Sequence, residues 1–434
     1  MTGNNFLFGL VITAILLTCV PASAASDYTL DIFGNANEDD TIDLKDVEYT
    51  ASVVLGLDDQ TQLADAKYDG EIDILDVTQI ELIILGREKE MTFLDIFDEA
   101  VTVNKPIKRL VNMGWYGVDM ARTLGARDIL VAVGVVDYSE KPAFYPEIGK
   151  LPIVAPGNEP DFEKILSLNP DAVQVNIEDI SHVLSGGKEK KEMYKEKLPG
   201  IPIICLNMRE PTVLPSSLRV YGHILDRENE AEEFIEWFEG YGSKFKARTE
   251  GLSKDEKPKV WIWWWGSGRY SCNCPGNRVD QALVIAGGRN IAEEIIGPDH
   301  PKYGGYSVDV ESEWMIEQNP AYIIGLAWGS MAGYATDDPS KMASSVEELL
   351  SRPELAKTDA VKNKHVYSME ATLIGGGGAY PIGIAYMAKL LHPDLFMDID
   401  PEAIHQEYVD KFCYVDFNVK EQGAFVYPPF EEWP

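Results

Sequence analysis

The chain has 434 residues, room for two or three domains, and its 45% apolar and 25% charged residues describe a chain that mostly folds around a core. Lys and Arg number 38 against 71 Asp and Glu, a net charge of -33, which argues against a nucleic-acid binder or a protein of anionic membrane surfaces. Five cysteines are too few for a disulfide framework. The acidity is uneven: residues 25–90 carry 18 acids and 4 bases, and the 344 residues after them carry 53 acids and 34 bases.

Phe6 to Val20 is nearly all apolar, and Pro21-Ala22-Ser23-Ala24 follows. A bilayer span takes about twenty apolar residues, so this stretch is short for one. Ala22-x-Ala24 supplies the small residues a signal peptidase needs. Residues 1–24 therefore read as a cleaved export signal, with an uncleaved anchor and a lipidated Cys19 as alternatives. The expected location is extracellular or at the cell surface, outside the cytoplasmic membrane.

Residues 28–90 contain a repeat. Asn35 to Asp46 and Asp65 to Asp76 are twelve-residue segments offset by thirty. Oxygen-bearing side chains recur at positions 1, 5, 9 and 12, with Ile at 8. Calcium takes six to eight oxygens, and a loop of this length wraps them around the ion. The sixth position must turn sharply, which suits Gly70 and asks Asp40 to enter the left-handed region. Each loop runs into an apolar helical pattern ending in Leu-Gly, at Gly56 and Gly86. With Asp rather than Glu at position 12, the doublet resembles a type I dockerin module. That resemblance implies two bound Ca2+ ions and docking on a cohesin-like protein. The implied ligands are Asn35, Asn37, Asp39, Asp43 and Asp46 with the Thr41 carbonyl, then Asp65, Asp69, Asp73 and Asp76 with the Glu71 carbonyl. Lys67 stands where an oxygen ligand is expected and puts the affinity of the second loop in doubt. An acidic linker with chance spacing is the bland alternative, and two copies in phase disfavour it.

Residues 91–434 alternate strand and helix patterns, which points to an α/β class with mostly parallel strands. Arg109 to Met113, Ile129 to Val133, Ala172 to Val175 and Ile201 to Leu206 read as buried strands, with helical stretches such as Val118 to Leu124 between them. A long helical stretch covers about Ser216 to Tyr241. Strands resume at Lys259 to Trp265, Tyr322 to Leu326 and His365 to Met369. The expected architecture is two α/β lobes, residues 105–210 and 255–434, joined by one long rigid helix over 212–245 and preceded by the small all-α calcium-loop module.

A second echo supports two lobes. Glu163 to Val173 and Glu313 to Ile323 each run Glu, short helix, Asn-Pro, strand, and the glutamates are 150 residues apart. These segments stand in order with Lys108-Arg109-Leu110-Val111-Asn112-Met113, Asp280 to Ile291, Val361 to Tyr367 and Ala388 to Phe396. Together they resemble the substrate-binding proteins of ABC importers for ferric siderophores, haem and cobalamin, over residues 105–413. The resemblance implies a metal chelate bound between the lobes, delivery to an ABC importer permease, and no enzymatic activity or catalytic cofactor. It also implies that Glu163 and Glu313 pair with permease arginines. Surface glutamates suited to helix N-termini are the structural alternative.

Ligand contacts in such folds come from loops at strand ends. The first lobe offers Trp115, Tyr116, Gly157-Asn158, Asn176 and Arg209, and the second offers Trp264, Trp265, Arg269, Tyr270, Trp328 and Glu370. Aromatic faces suit large chelates and arginines suit carboxylates or phosphates. Along 261–265, period two separates Trp261, Trp263 and Trp265 from Ile262 and Trp264. Gly375 to Gly378 reads as a mobile loop, with bordering the cleft as the alternative. Cys272-x-Cys274 is unlike a zinc pair, and a disulfide to another cysteine stays open. No histidine shows metal-site spacing, though twenty tyrosines leave a tyrosine-rich iron site open. Two other readings are an enzyme of related two-lobed architecture, for which no acid/base pair or nucleophile is found, and a surface scaffold acting through the calcium-loop module.

Overall fold

The computed structural model describes residues 28–134, 137–157, 159–175, 187–264 and 270–433. The expected export signal at 1–24 and the candidates Asn158, Asn176, Trp265 and Arg269 lie outside the described residues. Among the described residues no helix is long and apolar enough to cross a membrane.

The acidic repeat folds as two copies of one device. Helices Leu44–Val54 and Ile74–Ile84 are capped by Asp43 and Asp73, whose side chains accept from Lys45 N at 2.7 Å and Leu75 N at 2.6 Å. Asp46 and Asp76 return the bond to the cap amides at 2.8 Å, closing a capping box in each copy. Both helices end at the expected Leu-Gly, with Gly56 and Gly86 left-handed beyond the caps. The sharp turn differs from expectation. Gly70 is left-handed as expected, but Asp40 is not, and the left-handed residue common to both loops is at position 4, Glu38 and Tyr68.

The module is not a separate bead. The hairpin of β1 (Glu90–Leu94) and β2 (Ala100–Asn104) carries it onto the main body. Ile32 pairs with Phe93 in an antiparallel bridge, flanked by Phe33 N to Thr92 O and Leu94 N to Asp31 O, both at 2.9 Å. Leu30, Ile32 and Ile83 sit in the same apolar core as Met91, Phe93, Val101 and Val103. The boundary at residue 90 therefore cuts through a shared core. At its other end the hairpin packs on the first lobe. Its turn donates Ile96 N to Cys205 O at 3.1 Å, and buried Lys191 pairs with Asp95 and, at 2.7 Å, with Glu99.

The first lobe is a parallel sheet of β3 (Leu110–Asn112), β4 (Leu130–Val133), β5 (Ala172–Val175) and β6 (Ile203–Cys205), ordered β4-β3-β5-β6. The second contains β7 (Lys259–Trp264), β8 (Ser271–Asn273), β9 (Arg289–Asn290), β10 (Ser307–Asp309), β11 (Tyr322–Ala327), β12 (Val366–Glu370) and β13 (Val426–Tyr427). Its main sheet is ordered β9-β7-β11-β12 in parallel, and β13 adds an antiparallel edge. Strand for strand, the two lobes share one order. The repeat extends to single bonds: Asp171 N to Arg109 O and Ala321 N to Lys259 O are both 2.8 Å, at an offset of 150. Asn169 and Asn319 both turn left-handed before their prolines.

The connector is two helices, Leu214–Leu225 and Glu228–Thr249, where one was expected. Asp226 ends the first in the left-handed region at φ 56°. The helices then pack side by side: a Cβ on Gly222 would stand 2.9 Å from that of Ala231. The break is held by charge. Lys105, with a side chain 2% exposed, reaches Glu88 at 2.6 Å and Asp226 at 2.7 Å, and donates to the His223 carbonyl. The second helix spans about 33 Å by the α-helical rise. It packs along the second lobe, with Phe234 beside Gly378 and Thr249 Oγ1 donating to Ile285 O at 2.8 Å, and touches the first lobe at helix Trp115–Thr123.

Candidate ligand-binding cleft

In both lobes the strand order reverses beside the first strand, and loops at the carboxyl ends of such strands form the crevice where ligands bind. β3 leads through Gly114 directly into helix Trp115–Thr123. This helix lies close on its sheet because Gly117 has no Cβ: one would stand 2.0 Å from Gln174 Oε1. The close approach sets Trp115, 39% exposed, and Tyr116 at the cleft. β6 delivers Arg209 to the same place, and β7 delivers Trp264. The expected alternation along β7 holds for its described part. Trp261 and Trp263 enter one apolar core, and Ile262 with Trp264 face the other.

Among the described residues two small chambers line this region. One, of about 50 Å3, lies between Trp115, Tyr116, Arg122, Tyr145, Tyr334 and Tyr408. Arg122 is held there between the rings of Phe144 and Tyr145, each 4.4 Å from its guanidinium carbon, and Tyr145 donates to Asp119 at 2.8 Å. Burial pushes the Tyr116, Tyr145, Tyr334 and Tyr408 phenols up, so they stay protonated at neutral pH. The other chamber, of about 40 Å3, is lined by Arg209, Trp264, Asn273, Asn277, Arg278 and Tyr306.

Between them runs Gly375–Gly378. All four glycines are buried, which corrects the mobile-loop expectation. Gly377 N donates to Arg209 O at 2.9 Å, and a Cβ on Gly377 would stand 2.4 Å from the Tyr116 ring. The loop is bare because the first lobe presses against its backbone. Glu370 anchors its base. Its carboxylate accepts from Thr372 N at 2.8 Å and Leu373 N at 3.2 Å, and burial raises it.

Of the candidates, Tyr116 and Arg209 meet, with the guanidinium 5.3 Å from the ring, while Trp115 lines the first chamber and Trp264 the second. Three other described candidates, Glu370, Tyr270 and Trp328, line neither chamber. Tyr270 donates to Glu354 at 2.6 Å and stacks on Trp261, so its ring serves the second-lobe core. Trp328 is 58% exposed and lines neither chamber. Residues missed from sequence include Arg122, Tyr145, Tyr334 and Arg278. Arg278 lay two positions before a motif already singled out, and its position after Pro275-Gly276 was the available signal.

Glu163 and Glu313 are both exposed, each the second residue of its short helix. In the acidic loops, Asn35 is buried and its Oδ1 has no hydrogen-bond partner among the described residues, an acceptor suited to a cation. The donor set is otherwise engaged. Asp46 and Asp76 accept backbone amides on both oxygens, Asp65 accepts from Asp69 N and Gly70 N, and Lys45 lies 3.8 Å from Asp39 and 3.4 Å from Asp43. Among the described residues no group of three acidic, His or Cys side chains is disposed to hold a metal. The residue types fit calcium, and occupancy requires these oxygens to exchange partners. Cys205, Cys272, Cys274 and Cys413 are all free and buried, so none forms the disulfide left open by the sequence.

Residues 110–373 match the family model described as periplasmic binding protein. The molybdate-binding protein MolA of Haemophilus influenzae is 21% identical over 354 residues, covering 73% of this chain and 89% of that protein. The petrobactin-binding protein YclQ of Bacillus subtilis is 23% identical over 303 residues, covering 67% and 84%. Among solved structures, the TroA-like periplasmic binding protein FepB from Veillonella parvula superposes with a TM-score of 0.63 at 21% identity, covering 77% of this chain and 98% of that one. MolA bound to molybdate gives 0.59 at 18% identity, covering 75% and 98%. At these identities the superpositions speak to the fold.

Proposed function

We propose, because the chain belongs to the periplasmic binding protein family, that it is an exported receptor which captures a metal chelate between its lobes and delivers it to an ABC importer permease. The chelate class is a ferric siderophore, haem or cobalamin. The observation that carries the reading is the pair of lobes of equal strand order, with Trp115 and Tyr116 lining one chamber where they meet and Arg209 and Trp264 lining the other. Glu163 and Glu313 stand exposed at equivalent helix positions and supply one permease contact per lobe. Two charges on two lobes can report the spacing between them. The family is one of binders, and the chain's role is binding and transfer rather than catalysis.

Tryptophan fluorescence of the full chain, titrated with cobalamin, haem and a panel of ferric siderophores and checked by calorimetry, tests the cargo. Saturable submicromolar binding of one compound is expected, and silence across the panel overturns the chelate class. Glu163→Ala/Glu313→Ala is expected to leave that affinity unchanged and to lower importer-driven uptake in proteoliposomes about tenfold. Uptake at the wild-type rate removes the docking role.

The acidic module binds Ca2+ through the two loops, with Asn35, Asp39, Asp43 and Asp46 in the first and Asp65, Asp69, Asp73 and Asp76 in the second. When bound, the ion supplies a rigid centre for each loop. A second reading makes the module the point of attachment to a cohesin-like surface protein. Its support is the number of exposed apolar side chains there, including Leu44, Leu55, Leu57, Ile74, Leu75 and Leu85. Cell-surface retention unchanged by calcium removal rules out that attachment.

A further inference from the structure

Trp115, Asp119 and Arg122 recur at helical spacing, so they share one face of helix Trp115–Thr123, and that face walls the chamber of about 50 Å3. Arg122 is 2% exposed and poorly supplied with acceptors. Its Nη1 reaches Phe144 O at 3.2 Å, and its Nη2 reaches Asp119 Oδ1 at 3.4 Å and Cys413 Sγ at 3.5 Å. Its Nε has no hydrogen-bond partner among the described residues. A charge-assisted bond from a guanidinium to an oxyanion runs at about 2.7–2.9 Å, so none of these is a full match. The Asp119 oxygen is already engaged, because Tyr145 donates to it at 2.8 Å. The rings of Phe144 and Tyr145 hold the cation by their faces and leave its N–H fork open.

Lys141 lines the same chamber, half-buried, and its ammonium forms no hydrogen bond or ion pair among the described residues. The Glu370 charge acts on it from outside the lining, and that carboxylate already accepts from Thr372 N and Leu373 N. Two cations therefore face one shared carboxylate in the lining, in a chain whose net charge is -33. The phenols add no charge, and two of their hydroxyls are spent on the walls: Tyr138 donates to Trp115 O at 2.8 Å, and Tyr334 lies 2.7 Å from His405 Nε2. A buried cation without its counter-charge is costly, so the chamber calls for an anion from outside. Trp115 is 39% exposed and the Asp119 side chain 26%, which leaves a way in. At about 10–15 Å3 per water, the space holds about three or four waters, or a carboxylate and the carbons that carry it.

We propose, resting on the receptor reading above, that this chamber is a subsite for one carboxylate arm of the cargo, whose oxygens bridge Arg122 and Lys141. The rest of the cargo lies outside the chamber, elsewhere in the cleft. The arm supplies the missing counter-charge, so a chelate with a carboxylate is selected over one with none.

Calorimetry of the full chain compares haem and ferric citrate, which present carboxylates, with ferrioxamine B and cyanocobalamin, which present none. Haem or ferric citrate is expected to bind saturably and at least about tenfold more tightly than the other two. Lys141→Gln is expected to weaken that chelate about tenfold at an unchanged unfolding temperature, and Lys141→Arg to stay within about threefold of wild type. Raising the salt from about 50 to about 500 mM should cost the wild type more affinity than it costs Lys141→Gln. Arg122→Gln removes a buried cation, so a loss of about tenfold to a hundredfold is expected together with a lowered unfolding temperature, and the half-buried Lys141 is the deciding position. A carboxylate chelate that Lys141→Gln binds as tightly as the wild type does overturns the subsite and leaves the receptor reading standing. Equal or tighter binding of ferrioxamine B or cyanocobalamin overturns the carboxylate class and leaves that reading standing too. No heat from any of the four overturns both.

Discussion

Lys105→Met is expected to cost the fold about 3–5 kcal/mol, read as a lowered urea midpoint at unchanged slope. The side chains of Lys105 and Glu88 are each 2% exposed and 2.6 Å apart. Removing the ammonium leaves the Glu88 carboxylate buried with no counter-charge, and its Oε2 already lacks a hydrogen-bond partner among the described residues. The same change releases Asp226, which is 41% exposed and can turn to water, so Glu88 carries most of the cost. Lys105→Met/Glu88→Leu should recover most of the loss, because an apolar pair can replace a buried ion pair at little net cost. A double variant as unstable as the single would show instead that Lys105 acts through Asp226 and the His223 carbonyl, at the helix break.

Acidification is expected to weaken the protein through two buried neutral histidines. Burial pushes His405 down to about 3, and burial and then the Lys105 charge push His223 down to about 4. Both lie below the ordinary unfolded value near 6.5, so the native state binds fewer protons than the unfolded state as pH falls. Their stabilisation is fully present above about pH 6.5 and is lost on the way down to 4 and 3, at about 1.4 kcal/mol per pH unit for each histidine. Asp46 works the other way: burial raises its carboxyl to about 6, so it favours the native state on acidification. Burial raises Asp76, Asp280 and Glu370 in the same direction, so the histidine share is read from the difference between a variant and wild type. His405→Gln keeps a polar partner for Tyr334, whose hydroxyl lies 2.7 Å from His405 Nε2. Urea midpoints at about pH 7 and about pH 4.5 should fall less in this variant than in wild type. Equal falls would mean that His405 is protonated in the native state.

The lobes were legible because their signals are local. Glu163 to Val173 and Glu313 to Ile323 each encode a helix start, an Asn-Pro stop and a strand, and the structure repeats even their backbone bonds at the same offset. The paired loops were legible for the same reason, since Asp43 and Asp73 cap what directly follows them. What failed was non-local. Nothing between Ser216 and Tyr241 announces a break, because Asp226 is held left-handed by a lysine 121 positions earlier in the chain. The glycine run reads as mobile in isolation and is buried because Tyr116 and Arg209 arrive from the other lobe. Tyr270 and Trp328 matched the residue types a cleft needs, but Tyr270 is claimed by Trp261, Arg352 and Glu354.

The bridge between Ile32 and Phe93 removes the slack that a linker would give. A flexible tether lets a domain swivel and sample a volume that grows with its length. Here the loops at 35–46 continue a strand pairing that ends on the first lobe, so any hand that grips the acidic module grips that lobe directly. The mouth of the cleft then points in one fixed direction relative to the acidic module. Force, torque or ordering applied at the loops reaches the first lobe through hydrogen-bonded backbone, and the second lobe receives it through the connector helices and through the contacts of Tyr116 and Arg209 with the buried glycine run.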